Sequence, residues 1–414
     1  MTTAHALSRL LRHAQTTAPD DVVSTLAEGA ALLAGRQVVL HLVDYEHSVL
    51  QPTPAWTADG AVVLPASIEG TMAGRCFRDQ QLLEAERDGA VQVWVPVSER
   101  AERLGVLAFV VPRLDEPGRD LCAELGLLAG QLILSSSAYC DRFHVRRRRR
   151  DMSLAAEMQW SLLPPLSFSC AGTSLAGLLE PAYDVGGDCF DYAYDDGVLH
   201  LAVFDAMGHG LPSSVLSSLA VGAYRHERRR ATPLAVLLGA MDHAVQSLMG
   251  DAFVTALVGE LQTATGQLRW TSAGHPPPLL LRAGRVLPQP EQSTSLPLGL
   301  SPLPAPEAGV QVLQLEPGDR VLLHTDGVVE ARSPAGVEFG RERLGDLFAR
   351  ESASGALPAE VLRRLTHDCL HFQGGRLRDD ATLLLLEWAG PARSQAASAL
   401  RDAPVGAPEP RRGQ

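Results

Sequence analysis

The chain has 414 residues, 46% of them hydrophobic, enough to bury a sizeable core and, because single cores seldom grow past about 250 to 300 residues, to form two globular units. A net charge of −12 argues against a general nucleic-acid or anionic-membrane binder, and every one of the 36 basic residues is arginine, which excludes Schiff-base chemistry and a P-loop lysine. Six scattered cysteines with no C-x-x-C pair fit reduced, inert thiols in a cytoplasmic protein rather than a disulfide framework or zinc site.

The first unit, residues 1–140, opens with helical spacing through Leu7, Leu10 and Leu11 and again through Val22, Val23, Leu26, Leu32 and Leu33. Strand-like runs follow at 38–43, 61–64, 91–97 and 106–111, with a helix at 70–78 between them, giving an α+β order. His41 and Cys76 are the residues there that tempt a metal or haem reading, but a lone His or Cys in an apolar context is ordinarily core. The most apolar window, 121–139, contains Glu124 and Gln131, and no basic region followed by an apolar run opens the chain, so neither a membrane span nor a signal peptide is expected. From Leu121 the residues Leu125, Leu128, Leu132, Tyr139 and Phe143 recur at three- and four-residue steps, and the stripe resumes at Leu154, Met158 and Leu162. This spacing predicts one long connecting helix ended by Pro164 and Pro165, with a seam suited to parallel homodimerisation. Within the linker, residues 141–163, lie five consecutive arginines, Arg146 to Arg150, read as a solvated helix face in preference to a docking patch or phosphate-sensing switch.

In the second unit, residues 164–389, strand-like runs at 199–204, 253–261, 267–272, 278–282, 310–315, 320–324 and 381–388 are interrupted by two consecutive amphipathic helices, 212–229 and 233–249. A proline opens each helix and Gly250 closes the second. Strands with paired helices predict antiparallel sheets packed between helices. The final segment, 390–414, is rich in Pro, Ala, Gly and Arg without a period, and is expected to be disordered.

Carboxylates recur where strands meet turns: Asp188 and Asp205 beside glycines, Asp326 after the run 320–324, and Asp379 with Asp380 before the last strand. Brought together by a shared sheet core, four such sites suit two hard cations about 4 Å apart with a bridging water as nucleophile, the chemistry of phosphoryl transfer to water.

Two stretches of the first unit, IEGTMAGRCFRDQQ (68–81) and VWVPVSERAERLGVLAFVV (93–111), resemble a GAF domain. That resemblance implies a sensor for a small ligand or signal, with a pocket between the sheet and its covering helix. In the second unit VGGDCFD, FDAMGHGLPSS, WTSAGHPPPLLL, LPLGL, LEPGDRVLLHTDGVVEAR and RDDATLLLL occur in that order, with AAEMQWSLLPP just upstream. The series resembles the PP2C-like (PPM) serine/threonine phosphatases of the bacterial SpoIIE/RsbU type. The resemblance implies an αββα sandwich, two Mn²⁺ or Mg²⁺ ions, and dephosphorylation of a phosphoserine or phosphothreonine protein, typically an anti-sigma-factor antagonist. It further implies that Asp205 bridges both metals, that the carbonyl of Ala206 and the carboxylates of Asp326 and Asp379 hold the first metal, that Asp188 holds the second directly or through water, and that Asp380 supports rather than binds. His209 and His275 are candidates for donating a proton to the leaving oxygen, against a structural role in fixing turns; His209 does not stand at the offset from Asp205 that the general acid takes in eukaryotic relatives. The rival readings are a non-catalytic signalling module with a degenerate phosphatase domain and, on the five arginines alone, a nucleic-acid binder.

Overall fold

The computed structural model describes residues 3–391 apart from 54–61, 171, 185, 251, 289–294, 302–306 and 376–378. The tail expected to be disordered falls almost wholly outside the described residues.

The first unit begins with helices α1 (Thr3–Ala14) and α2 (Val22–Ala31), then strands β1 (Arg36–Val43), β2 (Val49–Thr53) and β3 (Ala66–Ser67), helix α3 (Met72–Asp79), strands β4 (Leu83–Arg87), β5 (Ala90–Glu99) and β6 (Glu102–Val111), and helix α4 (Glu116–Ser137). Asp115 caps α4 by accepting the Gly118 N–H, as N-terminal Asp residues do. The strands form one antiparallel sheet in the order β3-β2-β1-β6-β5-β4. Alternation sorts its two faces: Val93, Val95, Val97, Leu107 and Phe109 pack on α2 and α4, whereas Val43, Leu50 and Val106 pack on Cys76 and Phe77 of α3. His41 and Cys76 are buried. Of the strand expected at 61–64, Ala61 lies outside the described residues, and Val62 and Leu64 stand exposed outside the sheet's strands, so the outermost strand is β3.

The single long helix does not form. Helix α4 ends at Ser137, α5 (Arg142–Arg147) stops where Arg148 turns extended, and α6 (Leu154–Leu162) starts afresh with Ser153 accepting the Ala156 N–H. Nor is the stripe a continuous free seam, because Leu121, Leu125, Leu128, Leu132 and Phe143 are buried in the first unit's own core, while Tyr139 and Leu154 stay exposed. Arg146 stands exposed on α5, but Arg147 to Arg150 are tied to partners. Arg147 donates to the Val43 carbonyl, Arg148 pairs with Glu157, Arg149 with Glu46 and Arg150 with Asp184. Partners on both units hold the chain extended, and side-chain periodicity in the linker carries no information about them.

The second unit contains β7 (Ser167–Cys170), β8 (Thr173–Glu180), β9 (Asp188–Asp195), β10 (Val198–Ala206), α7 (Leu211–Arg229), α8 (Leu234–Met249), β11 (Val254–Gln262), β12 (Gln267–Ala273), β13 (Leu279–Arg282), β14 (Arg285–Leu287), β15 (Gln311–Gln314), β16 (Asp319–His324), α9 (Asp326–Val329), α10 (Arg341–Ala353), α11 (Pro358–Phe372) and β17 (Ala381–Trp388). Two antiparallel sheets result, β15-β12-β11-β10-β9 and β14-β13-β16-β17-β8-β7. Their inner faces meet through Phe190, Leu201, Val203, Leu257, Leu323 and Leu384. Outside, α7 and α8 cover the first sheet through Leu216, Tyr224 and Met241, and α10 and α11 cover the second through Leu344, Phe348 and Val361. The architecture is the αββα sandwich that the sequence predicts.

Strands β9 and β10 form a hairpin in which Asp195 pairs with Val198 across a two-residue turn, Asp196-Gly197, with both φ angles positive. Asp-Gly suits that conformation, whose twist matches the flanking strands.

The two units share a buried ionic seam. Arg103 on β6 reaches Glu360 on α11 at 3.2 Å, both side chains nearly inaccessible, and Glu360 also accepts from Arg363 and Arg364. Arg363 in turn pairs with Glu69 of the first unit. Beside this seam Glu102 accepts the backbone N–H of Ser167 at 2.6 Å.

Candidate active site

Strand alternation sets the site. On β10 Leu199, Leu201 and Val203 face the space between the sheets while Ala202 and Phe204 face α7, so Asp205, two residues beyond Val203, has the inward parity. On β9 Phe190 points inward and Cys189 outward, which gives Asp188 the inward parity too. Asp188 and Asp205 are direct cross-strand partners. The second sheet brings Thr325 and Thr382 to the same end, by the same count from Leu323 and Leu384. Asp326 opens α9 immediately after Thr325, and Asp379 and Asp380 immediately precede β17.

Short hydrogen bonds fix this end of the sandwich. The Thr325 hydroxyl donates to Asp188 Oδ2 at 2.6 Å and accepts the Thr382 N–H at 2.9 Å. Asp380 Oδ2 accepts the Gly186 N–H at 2.6 Å and, more weakly, that of Asp188 at 3.4 Å. Asp380 thus holds the loop that presents Asp188. Ser214 and Ser217 of α7 donate to the carbonyls of Gly186 and Gly187, so these two serines, one helical turn apart, dock the helix onto the same loop. Two glycines are required sterically. A Cβ at Gly187 would stand 2.2 Å from the Ala206 carbonyl oxygen, and one at Gly327 would stand 1.8 Å from that of Asp380.

The electrostatics are those of crowded like charges. Burial, reinforced by Asp326, Asp379 and Asp380, pushes the Asp205 carboxyl up to about 7. Burial and then Asp205 and Asp380 hold Asp188 well above the usual carboxylate range, against the Thr325 hydrogen bond. Asp326 is raised by burial and by Asp379. Asp380 is raised to about 6, chiefly by burial, with the backbone N–H groups of Asp188 and Gly186 opposing. Among the described residues no three His, Cys, Asp or Glu side chains are drawn tightly enough to cage a metal as they stand. Carboxylates that repel one another relax apart, and a divalent cation reverses the repulsion. The donor set of carboxylate oxygens with a nearby backbone carbonyl, Ala206, fits a hard cation such as Mn²⁺ or Mg²⁺ and not a soft one.

The histidines separate. His275 is buried, its Nδ1 within 2.8 Å of the Thr255 hydroxyl, and burial followed by the neighbouring His324 lowers it to about 3. The lowered value favours a neutral imidazole there, one strand away from Asp205, whose partner on β11 is Thr255. His209 is exposed and lines the mouth of a cleft beside Asp379 and Asp380. Sequence reasoning missed Thr325, Thr382 and Gln159, whose side chain donates to the Asp188 carbonyl. Thr325 had one signal, a hydroxyl at inward parity directly before Asp326.

Residues 195–389 match the family model described as Stage II sporulation protein E (SpoIIE); Asp188 lies just upstream of the match. The chain is 24% identical over 286 residues to the phosphoserine phosphatase RsbU of Bacillus subtilis, covering 68% of this chain and 83% of that protein. It is 21% identical over 266 residues to protein IcfG of Synechocystis, covering 57% of this chain and 41% of that one. Among solved structures it is similar to the SiaA-PP2C domain of Pseudomonas aeruginosa, with 23% identity, a TM-score of 0.48, and 56% and 94% of the two chains covered. It is also similar to the PP2C phosphatase domain and regulatory fragment of SpoIIE from Bacillus subtilis, with 14% identity, a TM-score of 0.43, and 74% and 82% covered. The second unit is a PP2C-like serine/threonine phosphatase domain of the SpoIIE type, from a family whose members depend on metal ions. Among the described residues no helix is long and apolar enough to cross a membrane.

Proposed function

We propose that this chain is a cytoplasmic, metal-dependent protein phosphatase that removes phosphate from a phosphoserine or phosphothreonine of a regulatory protein, an anti-sigma-factor antagonist, with its first unit acting as a GAF-like sensor. The observation that carries the reading is the gathering of Asp188, Asp205, Asp326 and Asp379 at one end of the sandwich, where burial and neighbouring carboxylates raise Asp188, Asp205 and Asp326. Asp205 stands between Asp188, its strand partner, and Asp326 and Asp379 across the gap, the position suited to bridging two ions. Asp326, Asp379 and the Ala206 carbonyl would complete one site and Asp188 the other. Two Mn²⁺ or Mg²⁺ ions bound there supply the positive charge that offsets the phosphoryl oxygens and lowers the pKa of water.

The chain's own residues do the positioning. Thr325 holds one Asp188 oxygen. Asp380 fixes the Gly186 turn, and the absence of a Cβ at Gly187 leaves the Ala206 carbonyl approachable. His209, exposed at the cleft mouth, would be the histidine that donates a proton to the leaving oxygen. The test is hydrolysis of p-nitrophenyl phosphate and of the phosphorylated antagonist by the full chain, stripped with EDTA and then resupplied with Mn²⁺ or Mg²⁺. Turnover should vanish on chelation and return with metal. Absence of any metal-dependent turnover would overturn the enzymatic reading.

A further inference from the structure

A cleft of about 620 Å³ runs from the carboxylates to the first unit, within the roughly 300–1,000 Å³ of ligand-binding clefts and larger than a phosphoryl group needs. His209, Asp379 and Asp380 line one end; His47, Ser48 and Ser67, from the β1–β2 turn and β3, line the other. Leu178 of β8 and Leu370 of α11 form part of its floor.

Three arginines border this space, and all are engaged. Arg149 pairs with Glu46, Arg150 with Asp184, and Arg363 with Glu360 and Glu69. A small polyanion would find no uncommitted guanidinium among them, which disfavours a nucleotide-like effector. What the first unit offers is hydrogen-bonding capacity: His47 is 92% buried with its Nδ1 lacking a partner among the described residues, and Ser67 is exposed to the cleft. The lining carries six acids, Glu46, Glu69, Glu180, Asp184, Asp379 and Asp380, against the three arginines, an excess of negative charge that repels a free polyanion and suits a polypeptide segment whose phosphoryl group goes to the carboxylate end, where cations would offset it.

We infer that the first unit forms one wall of the substrate cleft, and that His47 and Ser67 contact the polypeptide flanking the phosphorylated residue and so select which phosphoprotein is accepted. This rests on the phosphatase reading above. The first unit is then a specificity element in addition to any sensing role.

The ratio of kcat/KM on the serine-phosphorylated antagonist to kcat/KM on p-nitrophenyl phosphate reports this selection, because specificity is a ratio of those constants. Two full-chain variants perturb the wall. Ser67→Trp projects a large ring into the cleft from an exposed position, and His47→Asn shortens the buried donor while tolerating the positive φ of 49° at that residue. The ratio is expected to fall about tenfold or more in each. An unchanged ratio in both variants overturns the inference, including the case in which both rates shift in step, as they would if a small effector occupied the cleft. Failure of the unmodified chain to hydrolyse p-nitrophenyl phosphate with metal counts instead against the phosphatase reading.

Discussion

Two of the buried charge clusters among the described residues are built on opposite plans. At the seam between the units Glu360 sits among Arg103, Arg363 and Arg364, and although burial alone would raise its carboxyl, the guanidiniums outweigh burial and hold it low. At the end of the sandwich Asp188, Asp205 and Asp326 face chiefly one another, and burial and repulsion act in the same direction. A structural cluster is neutralised from within. A site built to receive cations leaves its charge uncompensated and is stable only because carboxylates can take up protons or a metal.

Removing charge should therefore have opposite consequences at the two places. The largest effect is expected on catalysis: Asp205→Asn should lower metal-dependent hydrolysis by roughly 100- to 1,000-fold, the scale of losing one preorganised charged group, while thermal unfolding of the metal-free chain stays the same or moves upward, since a like charge has gone. A lowered unfolding temperature would show that the Asp cluster is structural after all. At the seam the loss should fall on stability. Glu360→Gln strands Arg103 among buried groups and should cost about 3 kcal/mol, read as a drop in unfolding midpoint with p-nitrophenyl phosphate turnover retained at low temperature. A midpoint unchanged in that variant would break the contrast.

The smallest effect sharpens it through pH. Glu102, at the seam but without a dedicated ion-pair partner, is pushed up to about 7 by burial, against Arg147, the Ser167 N–H and Arg103. Its folded pKa lies above the ordinary 4.5, so the stability it contributes is complete below about 4.5 and is lost as pH rises through about 7. Unfolding free energy measured from pH 5 to 8 should decline over that window in the parent chain and decline less in Glu102→Gln. An identical slope in both would mean that Glu102 is ionised at the seam without penalty.

The sequence makes the sandwich legible because its central strands, β10, β11 and β17, are apolar runs flanked by glycine, proline or aspartate. The clustered aspartates are legible because each stands at a strand end, where only a turn separates apolar parity from the cleft. Strand β9 was harder to see: DCFDYAYD carries a charge at Asp191 that alternation would place outside, yet Asp191 is buried and bound by Arg225 and Arg228 of α7. The arginine linker was misread for the same reason. Apart from Glu157 on α6, its acids, Glu46 and Asp184, lie in turns and loops far away in the chain, and periodicity reports faces of a helix, not partners brought by tertiary structure. Thr325 and Thr382 act through hydroxyl geometry that becomes meaningful only once two strands are known to be neighbours.

The Asp196-Gly197 turn is a gauge for chemistry performed at the other end of its hairpin. Seven residue steps, roughly 23 Å at the rise of a β-strand, separate it from the pairing of Asp188 with Asp205. A side chain changes face with every single-residue shift, so one residue inserted at this exposed and chemically silent tip, if passed along the ladder, turns a carboxylate toward α7. Ordinary surface loops drift freely in length over evolutionary time. This one is bound to its two residues by a reaction it never touches, and length variation in related chains should collect in other loops and spare this tip.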